Sequence, residues 1–195
     1  MIHIKKIAIT GGIATGKSIV AEYLRKKKYR VLCADEIYTE LLAKNRRLIE
    51  EISNNFGYSI FNDGKLDRIA LGKIVFSDKE KLKILNKITH PYIISTIIKE
   101  LKKLRDEKIV FVSIPLLFES KTEKEFDKII TVYCNKKQQI MRLKDRNGYS
   151  IKEAEKRINS QLPLKQKLKK TDFIIYNTSE IKNTHKQIDI IVEKL

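Results

Sequence analysis

Short apolar runs alternate along the chain with longer stretches in which apolar residues recur every three or four positions. The short runs are rich in β-branched residues and predict strands buried on both faces, whereas the longer spacing predicts amphipathic helices. This alternation favours an α/β fold in which helices cover both faces of a parallel sheet. Five strands are predicted, at Lys6–Thr10, Tyr29–Cys33, Ile109–Ile114, Lys128–Tyr133 and Phe173–Tyr176.

Two long segments interrupt the alternation. From about Glu36 to Leu104 there is helical spacing and no clear strand, which predicts a mostly helical insertion between the second and third strands. From Asn135 to Lys170 the pattern predicts two charged helices that meet at Asn147-Gly148. The spacing of Ser77 with Glu80, and of Ser150 with Glu153, is typical of a capping box at a helix start.

The chain shows no internal repeat and no low-complexity linker, so we expect one domain over residues 1–195. We divide it into a core (1–35, 105–134 and 171–195), a helical insertion (36–104) and an excursion (135–170).

Composition narrows the class of protein. The 195 residues are 42% hydrophobic and 33% charged, which excludes a disordered chain. The two cysteines are too few for a disulfide framework and favour a reducing, cytoplasmic compartment. No apolar run is long enough to span a membrane, and the first residues lack the apolar core of a signal peptide, so no membrane partner is expected.

The formal net charge of +17 first suggests binding to nucleic acid or to an anionic membrane. However, 32 of the 41 basic residues are lysines and they are dispersed, whereas proteins that read grooves and phosphates favour the bidentate fork of arginine. We therefore expect a solvated surface that attracts an anionic small molecule, with no nucleic-acid partner. The nine arginines become candidates for specific roles.

The strongest motif is Gly11–Ser18, which reads GGIATGKS and matches G-x-x-x-x-G-K-[ST] in full. A predicted strand precedes it and an amphipathic helix follows, so its glycines and the helix N-terminus form a cradle for phosphate. In this motif Lys17 reaches the β- and γ-phosphates and the Ser18 hydroxyl binds Mg²⁺. The chain is thus predicted to bind ATP with Mg²⁺, through Gly12, Ile13, Ala14, Thr15, Gly16, Lys17, Ser18 and Ile19.

A phosphate loop alone does not distinguish kinases from GTPases, motors and nucleic-acid ATPases. Small size, a single lobe and the lack of an N-K-x-D guanine motif favour a small-molecule kinase. A kinase needs a group that accepts the proton of the acceptor hydroxyl. Asp35 follows the second predicted strand, at the edge of an open sheet where ligands bind, and is our candidate base. The alternative is that Asp35 caps the next helix.

Arg142 and Arg146 are four residues apart on a predicted helix and therefore share a face. They lie within 135–170, which we interpret as a lid that closes an arginine onto the transferring phosphoryl group. The alternative is a surface salt bridge with Asp145 or Glu153.

In addition, an ordered set of motifs resembles the dephospho-CoA kinase family along nearly the whole chain. The matching segments are Thr10–Ile13 with Gly16–Ser18, Cys33–Asp35, Phe56-Gly57, Asp63–Arg68, Leu85-Asn86 with His90-Pro91, Pro115–Glu119, Gln139 with Arg142 and Arg146, Arg157 with Gln161, and Asp172 with Asn177.

The resemblance implies that ATP phosphorylates the 3′-hydroxyl group of dephospho-CoA, the last step of coenzyme A synthesis. It implies a three-layer P-loop kinase fold with strand order 2-3-1-4-5, in which 36–104 binds the substrate and 135–170 is the lid. The rival interpretations are another small-molecule P-loop kinase, acting on a nucleoside or nucleotide, or a basic nucleic-acid-binding NTPase. We expect a monomer.

The matched positions also carry implied roles, each beside a structural alternative. Arg68 would hold a substrate phosphate or pair with the neighbourhood of Asp67. His90 would contact the substrate or pack within the fold, and Pro91 is expected in the first turn of a helix.

Two further matched residues follow predicted strands. Glu119 would contact the substrate site, where it helps to orient Mg²⁺ through water, or would cap a helix at Thr122. Asn177 would read the edge of the ATP adenine.

The chain departs from the family pattern at Thr171, which replaces an alanine, at Thr178-Ser179, which replaces a glycine, and at three positions near the phosphate loop and Asp35. Cys33 replaces an aspartate, but Asp35 is retained and so the base assignment stands. Ala14 replaces a glycine, which we expect to be tolerated only with a negative φ. Ile19 replaces a threonine and keeps the backbone N–H that a phosphate would use.

Overall fold

A computed structural model describes residues 4–195, which form two compact units. One unit comprises 4–33 and 104–195, and the other comprises Ala34–Lys103. The strands are β1 (Lys5–Gly11), β2 (Arg30–Cys33), β3 (Phe61–Asn62), β4 (Lys65–Leu66), β5 (Ile109–Ser113), β6 (Lys128–Tyr133) and β7 (Phe173–Tyr176). The helices are α1 (Lys17–Lys26), α2 (Ala34–Lys44), α3 (Arg46–Phe56), α4 (Arg68–Ser77), α5 (Lys79–Lys103), α6 (Lys136–Asn147), α7 (Ile151–Asn159), α8 (Leu164–Leu168) and α9 (Ile181–Glu193).

The first unit is built on a parallel five-stranded sheet in the order β2-β5-β1-β6-β7. All five predicted strands are present, and the predicted order 2-3-1-4-5 is confirmed because β3 and β4 belong to the other unit. The central strands are buried along most of their length, as their β-branched runs require, and one face packs under α1 and α9. The principal residues of this core are Ile7, Ile9, Val20, Leu24, Phe111, Ile130, Val132, Ile175, Ile188 and Ile191.

This topology places several loops at the carboxyl edge of the sheet. The loop after β1 leads into α1, the loop after β6 leads into α6, and the loop after β7 leads into α9. Because β1 lies between β5 and β6, its loop stands at the centre of that edge.

The second unit is mainly helical, with an apolar core that includes Leu48, Ile52, Ile60, Leu71 and Val75. The expectation that it contains no strand is wrong, because β3 and β4 form a short antiparallel hairpin. Asp63 and Gly64 make its turn with positive φ values of 48° and 72°. Asp-Gly is the pair that such a two-residue hairpin turn favours, so the sequence did carry a signal for it.

Two helix boundaries differ from the prediction. Ser77 ends α4 and its hydroxyl donates to the Ile74 carbonyl, while the Asp78 side chain accepts from the backbone N–H of Glu80 at 2.9 Å. Pro91 lies well inside α5 and not in its first turn, because the helix already begins at Lys79.

The Asn135–Lys170 segment contains the two predicted helices. Gly148 ends α6 in the left-handed conformation, and the capping box of Ser150 with Glu153 starts α7 as predicted. The additional short helix α8 was not expected. Over residues 4–195, no helix has the length and apolar character needed to cross a bilayer.

Candidate active site

The phosphate loop connects β1 to α1 in a conformation that its glycines permit. Gly16 has a φ of +102°, and a Cβ atom at this position would lie 2.0 Å from Nδ2 of Asn177. Gly11 also has a positive φ, +151°, and a Cβ atom there would lie 2.5 Å from the Val132 carbonyl oxygen. Both positions therefore require glycine for conformation and for space.

Ala14 adopts a φ of +57°, which corrects the expectation of a negative value. This left-handed conformation strains a residue that carries a Cβ atom. Neighbouring groups hold it: the Ala14 carbonyl accepts a hydrogen bond of 3.2 Å from Nη1 of Arg142 and lies 3.8 Å from Sγ of Cys134. Burial raises the pKa of the Cys134 thiol, which therefore stays protonated beside the loop.

Replacing Ala14 by glycine should stabilise the protein by about 1 kcal/mol, because the strain of the left-handed conformation disappears. Thermal unfolding would measure the change. Ala43→Gly is the matched control, since Ala43 is exposed in α2 and the same substitution there should destabilise. Equal destabilisation by both substitutions would contradict the account.

The Lys17 side chain reaches back over the loop. Its Nζ donates to the Gly12 carbonyl oxygen at 2.7 Å and lies 3.4 Å from the Gly11 carbonyl oxygen. The ammonium group is thus held over the loop whose backbone would surround a phosphate.

Arg142 and Arg146 lie on α6 as predicted but have different surroundings. The Arg142 guanidinium donates to the carbonyl oxygens of Thr15, at 3.2 Å, and of Asn177, at 2.9 Å, besides Ala14. Arg146 is exposed and donates from Nε to Oδ1 of Asn147 at 3.0 Å. The bonds that Arg142 makes are all to backbone carbonyls of this site, so the salt-bridge alternative is wrong for it.

Asn177 is only 1% exposed and contacts the phosphate loop through its side chain. Its Nδ2 donates to the Thr15 carbonyl oxygen at 2.9 Å, and its Oδ1 accepts from the Thr184 hydroxyl at 3.2 Å. Asn177 therefore holds Thr15 in place. Nδ2 keeps a second N–H and Oδ1 a second lone pair, and the role of the side chain in reading adenine stays a prediction.

Two glutamines hold the Ile13 backbone, a role that sequence reasoning missed. Nε2 of Gln139 donates to the Ile13 carbonyl oxygen at 2.6 Å, and the Ile13 N–H donates to Oε1 of Gln161 at 2.8 Å. Both glutamines belong to motifs that resemble the family, but the motifs gave no indication of what they bind.

Glu119 is engaged by a buried lysine that the sequence did not single out. Nζ of Lys167 lies 2.8 Å from Oε1 of Glu119, and that same oxygen accepts the Leu162 N–H at 2.9 Å. Burial lowers the pKa of Lys167, while the bond to Glu119 opposes this shift. The alternative that Glu119 caps a helix at Thr122 is wrong, and contact between Glu119 and the substrate stays a prediction.

Asp35 belongs to the second unit and is exposed. It is the second residue of α2, which begins at Ala34, so the alternative that Asp35 is the helix cap is wrong. A carboxylate in the first turn of a helix is favoured by the helix dipole and is open to solvent here.

Arg68 and His90 also belong to the second unit. Nη1 of Arg68 donates to the Thr39 hydroxyl at 2.9 Å, and its guanidinium lies 5.7 Å from the Tyr38 ring centroid. The alternative of an ion pair near Asp67 is not seen, because Asp67 caps α4. His90 is half-buried on α5.

The donor set for a metal ion is small. Ser18 is exposed in the first turn of α1, and residues 4–195 contain no group of three or more histidine, cysteine, aspartate or glutamate side chains that could hold an ion. A single hydroxyl fits Mg²⁺, which is held mainly by substrate phosphates and water.

The sheet order and the phosphate loop after its central strand define a P-loop kinase fold. Shikimate kinase from Acinetobacter baumannii shares this fold, with a TM-score of 0.54 and 14% identity over 99% of this chain and 96% of that one. The chain belongs to the dephospho-CoA kinase family, whose model matches residues 5–183.

Individual relatives are similar to the chain over nearly its whole length. The dephospho-CoA kinase of Carboxydothermus hydrogenoformans is 40% identical, and the alignment covers 100% of this chain and 96% of that protein. The crystal structure of a Thermus thermophilus protein superposes with a TM-score of 0.82 at 33% identity, covering 99% of this chain and 98% of that one. Dephospho-CoA kinase from Campylobacter jejuni gives a TM-score of 0.69 at 32% identity, covering 97% and 96% of the two chains.

Proposed function

We propose that the chain transfers the γ-phosphoryl group of ATP to the 3′-hydroxyl group of dephospho-CoA and releases coenzyme A and ADP. The hydroxyl oxygen forms a bond to the γ-phosphorus, the bond from that phosphorus to the bridging oxygen breaks, and the hydroxyl proton leaves to a base. The observation that carries this proposal is the braced phosphate loop, Gly11–Ser18, in a chain that matches the family over residues 5–183.

The loop would bind ATP through its backbone N–H groups and the N-terminus of α1, including the N–H of Ile19. Lys17 would leave the Gly12 carbonyl, or share it, and neutralise the β- and γ-phosphates. Arg142 would keep the backbone of Ala14 and Thr15 in position while these charges develop.

Asp35 would act as the base that accepts the proton of the ribose hydroxyl. Its carboxylate is exposed, so it can receive a proton without breaking a bond within the fold. Arg68 and His90 of the same unit would bind the phosphates and the body of the substrate, and Glu119 would border the substrate site.

The segment 135–170 would act as a lid, and Arg146 is the residue we expect it to carry onto the transferring phosphoryl group. Arg146 is exposed, with Asn147 as its hydrogen-bond partner, so its guanidinium can be redirected at little cost. The bidentate fork of an arginine suits the equatorial phosphoryl oxygens.

The Ser18 hydroxyl would hold Mg²⁺ together with the phosphates. When bound, the ion neutralises phosphate charge. The hydroxyl is exposed at the start of α1, so a hydrated ion can reach it.

We further propose a cytoplasmic enzyme that acts as a monomer and does not bind nucleic acid. The chain has only two cysteines, too few for a disulfide framework, which favours a reducing compartment. The dispersed lysines give a field that attracts an anionic substrate without forming an arginine-rich groove.

A coupled assay of ADP release tests the function. We expect rapid ADP release with dephospho-CoA and background rates with nucleosides, nucleoside monophosphates and RNA. A preference for any of these over dephospho-CoA would replace the proposal with the corresponding rival class.

A further inference from the structure

The most deeply buried charge in the first unit belongs to Lys167, a residue with no role in the proposed chemistry. Its side chain has no exposed surface, although it lies in the short helix α8 of a chain whose other described lysines are mostly exposed. Burying an ammonium group is costly unless it is paired and its donors are all satisfied. The groups that pair with the buried ammonium group therefore fix the position of the Lys167 side chain.

The Lys167 ammonium group has two partner residues, Glu119 and Pro115. Nζ lies 2.8 Å from Oε1 of Glu119, 3.2 Å from Oε2 of Glu119 and 2.9 Å from the Pro115 carbonyl oxygen. The Pro115 carbonyl also lies 3.4 Å from the hydroxyl of Thr10, near the end of β1. The ammonium group therefore ties α8 to the segment after β5.

Glu119 extends this connection toward the phosphate loop. Its Oε1 accepts the N–H of Leu162 at 2.9 Å, which fixes the backbone next to Gln161. The Gln161 side chain then accepts the N–H of Ile13 at 2.8 Å. The segment 161–167 is thus held by Glu119 at both its ends and holds the loop through Gln161.

The last step reaches the lysine of the phosphate loop through one peptide group. The Ile13 N–H and the Gly12 carbonyl belong to the same trans peptide and therefore point in opposite directions. Gln161 accepts from the first, and Nζ of Lys17 donates to the second at 2.7 Å. The orientation of this peptide decides where Lys17 rests.

We propose that Lys167 is a positioning residue for ATP binding, acting through Glu119 and Gln161 on the Gly12–Ile13 peptide and on Lys17. With Lys167 in place, the peptide is already oriented and the loop pays little ordering entropy when the phosphates arrive. Without it, Gln161 loses its support, and the N–H side of the peptide is no longer held, while its Gly12 carbonyl keeps the hydrogen bond from the Thr15 hydroxyl at 3.0 Å. This inference rests on the proposed use of the loop for ATP.

The test measures the dissociation constant of ATP, by calorimetry in the absence of an acceptor, for Lys167→Met, for Gln161→Ala and for the combined variant. Each single variant should weaken ATP binding about five- to tenfold, the size of effect expected from one hydrogen bond. The combined variant should be no weaker than Gln161→Ala alone, because both changes act on the same peptide.

Lys128→Met is the matched control. Lys128 forms an ion pair of 2.8 Å with Asp172 at partly exposed positions, so its loss should leave the affinity for ATP within about twofold. Lys167→Met leaves the Glu119 carboxylate without its cation. The ATP dissociation constant is therefore also measured for the double variant Lys167→Met with Glu119→Gln, in which both charges are removed.

Lower melting temperatures with unchanged ATP affinity would overturn the proposal and leave Lys167 a structural residue. The proposal would also be overturned if the losses of ATP affinity in the two single variants multiplied in the combined variant. Failure of the double variant Lys167→Met with Glu119→Gln to fold would overturn it as well. Because no acceptor is present, these outcomes are independent of which alcohol the enzyme phosphorylates.

Discussion

Lys17→Ala should lower phosphoryl transfer by about a thousandfold or more while the protein stays folded. The Lys17 ammonium group is the cation that the phosphate loop holds over its own backbone, 2.7 Å from the Gly12 carbonyl oxygen. Electrostatic groups aimed at charge that develops in the transition state contribute about 10²–10³-fold each, and we expect this lysine also to bind the ground-state phosphates. Initial rates of ADP release, beside a thermal melt, would measure the two effects separately.

Lys26→Ala provides the control for a change in net charge alone. Lys26 is exposed at the end of α1, away from the phosphate loop that begins the same helix. Its removal should leave the rate within about twofold of wild type. Near-normal turnover in Lys17→Ala would contradict the assignment of the loop.

Asp35→Asn should lower kcat by about 10²–10⁴-fold, because an amide keeps the shape of the carboxylate but cannot accept the hydroxyl proton. The structure strengthens this test, since α2 begins at Ala34 and Asp35 does not cap it. Loss of one charge in the first helical turn costs only about 0.3–1 kcal/mol. The affinity for ATP should change little, and a pH–rate profile together with kcat values would show the loss of the base.

Glu36→Gln is the matched control, because it removes the same charge from the same helical turn one residue away. Cys33→Ala is the second control, at the position where the family has another aspartate. Both should leave kcat close to wild type. A large loss in Cys33→Ala with a small one in Asp35→Asn would move the chemistry two residues toward the N-terminus.

The sheet could be predicted from sequence because its central strands are largely buried on both faces. The run Ile109–Val112 is apolar at every position, as expected of a strand covered on both faces. The hairpin of β3 and β4 was missed because each strand has only two residues, too few to show a period. Pro91 was misplaced because tertiary contacts carry α5 through a proline that normally ends or begins a helix.

The candidate site was predictable in its residue types but less so in its contacts. The loop motif identified the residues that we expect to face a phosphate, whereas the burial of Asn177 and its bond to Thr15 could not be predicted, because sequence gives no burial for a single amide. Lys167 could not be found in a chain with 32 lysines, since a buried lysine carries no local signature. The φ of Ala14 depends on carbonyl contacts from α6, which are distant in sequence.

The most direct test of the central claim is the position of the new phosphate on the product. We would incubate the protein with ATP and dephospho-CoA and analyse the product by tandem mass spectrometry and phosphorus NMR. The account predicts one added phosphate on the ribose 3′-hydroxyl group, with ADP formed in equal amount, and at least about a hundredfold slower formation of this product by Asp35→Asn. A phosphate on the pantetheine arm or elsewhere, or ADP without a phosphorylated product, would contradict it.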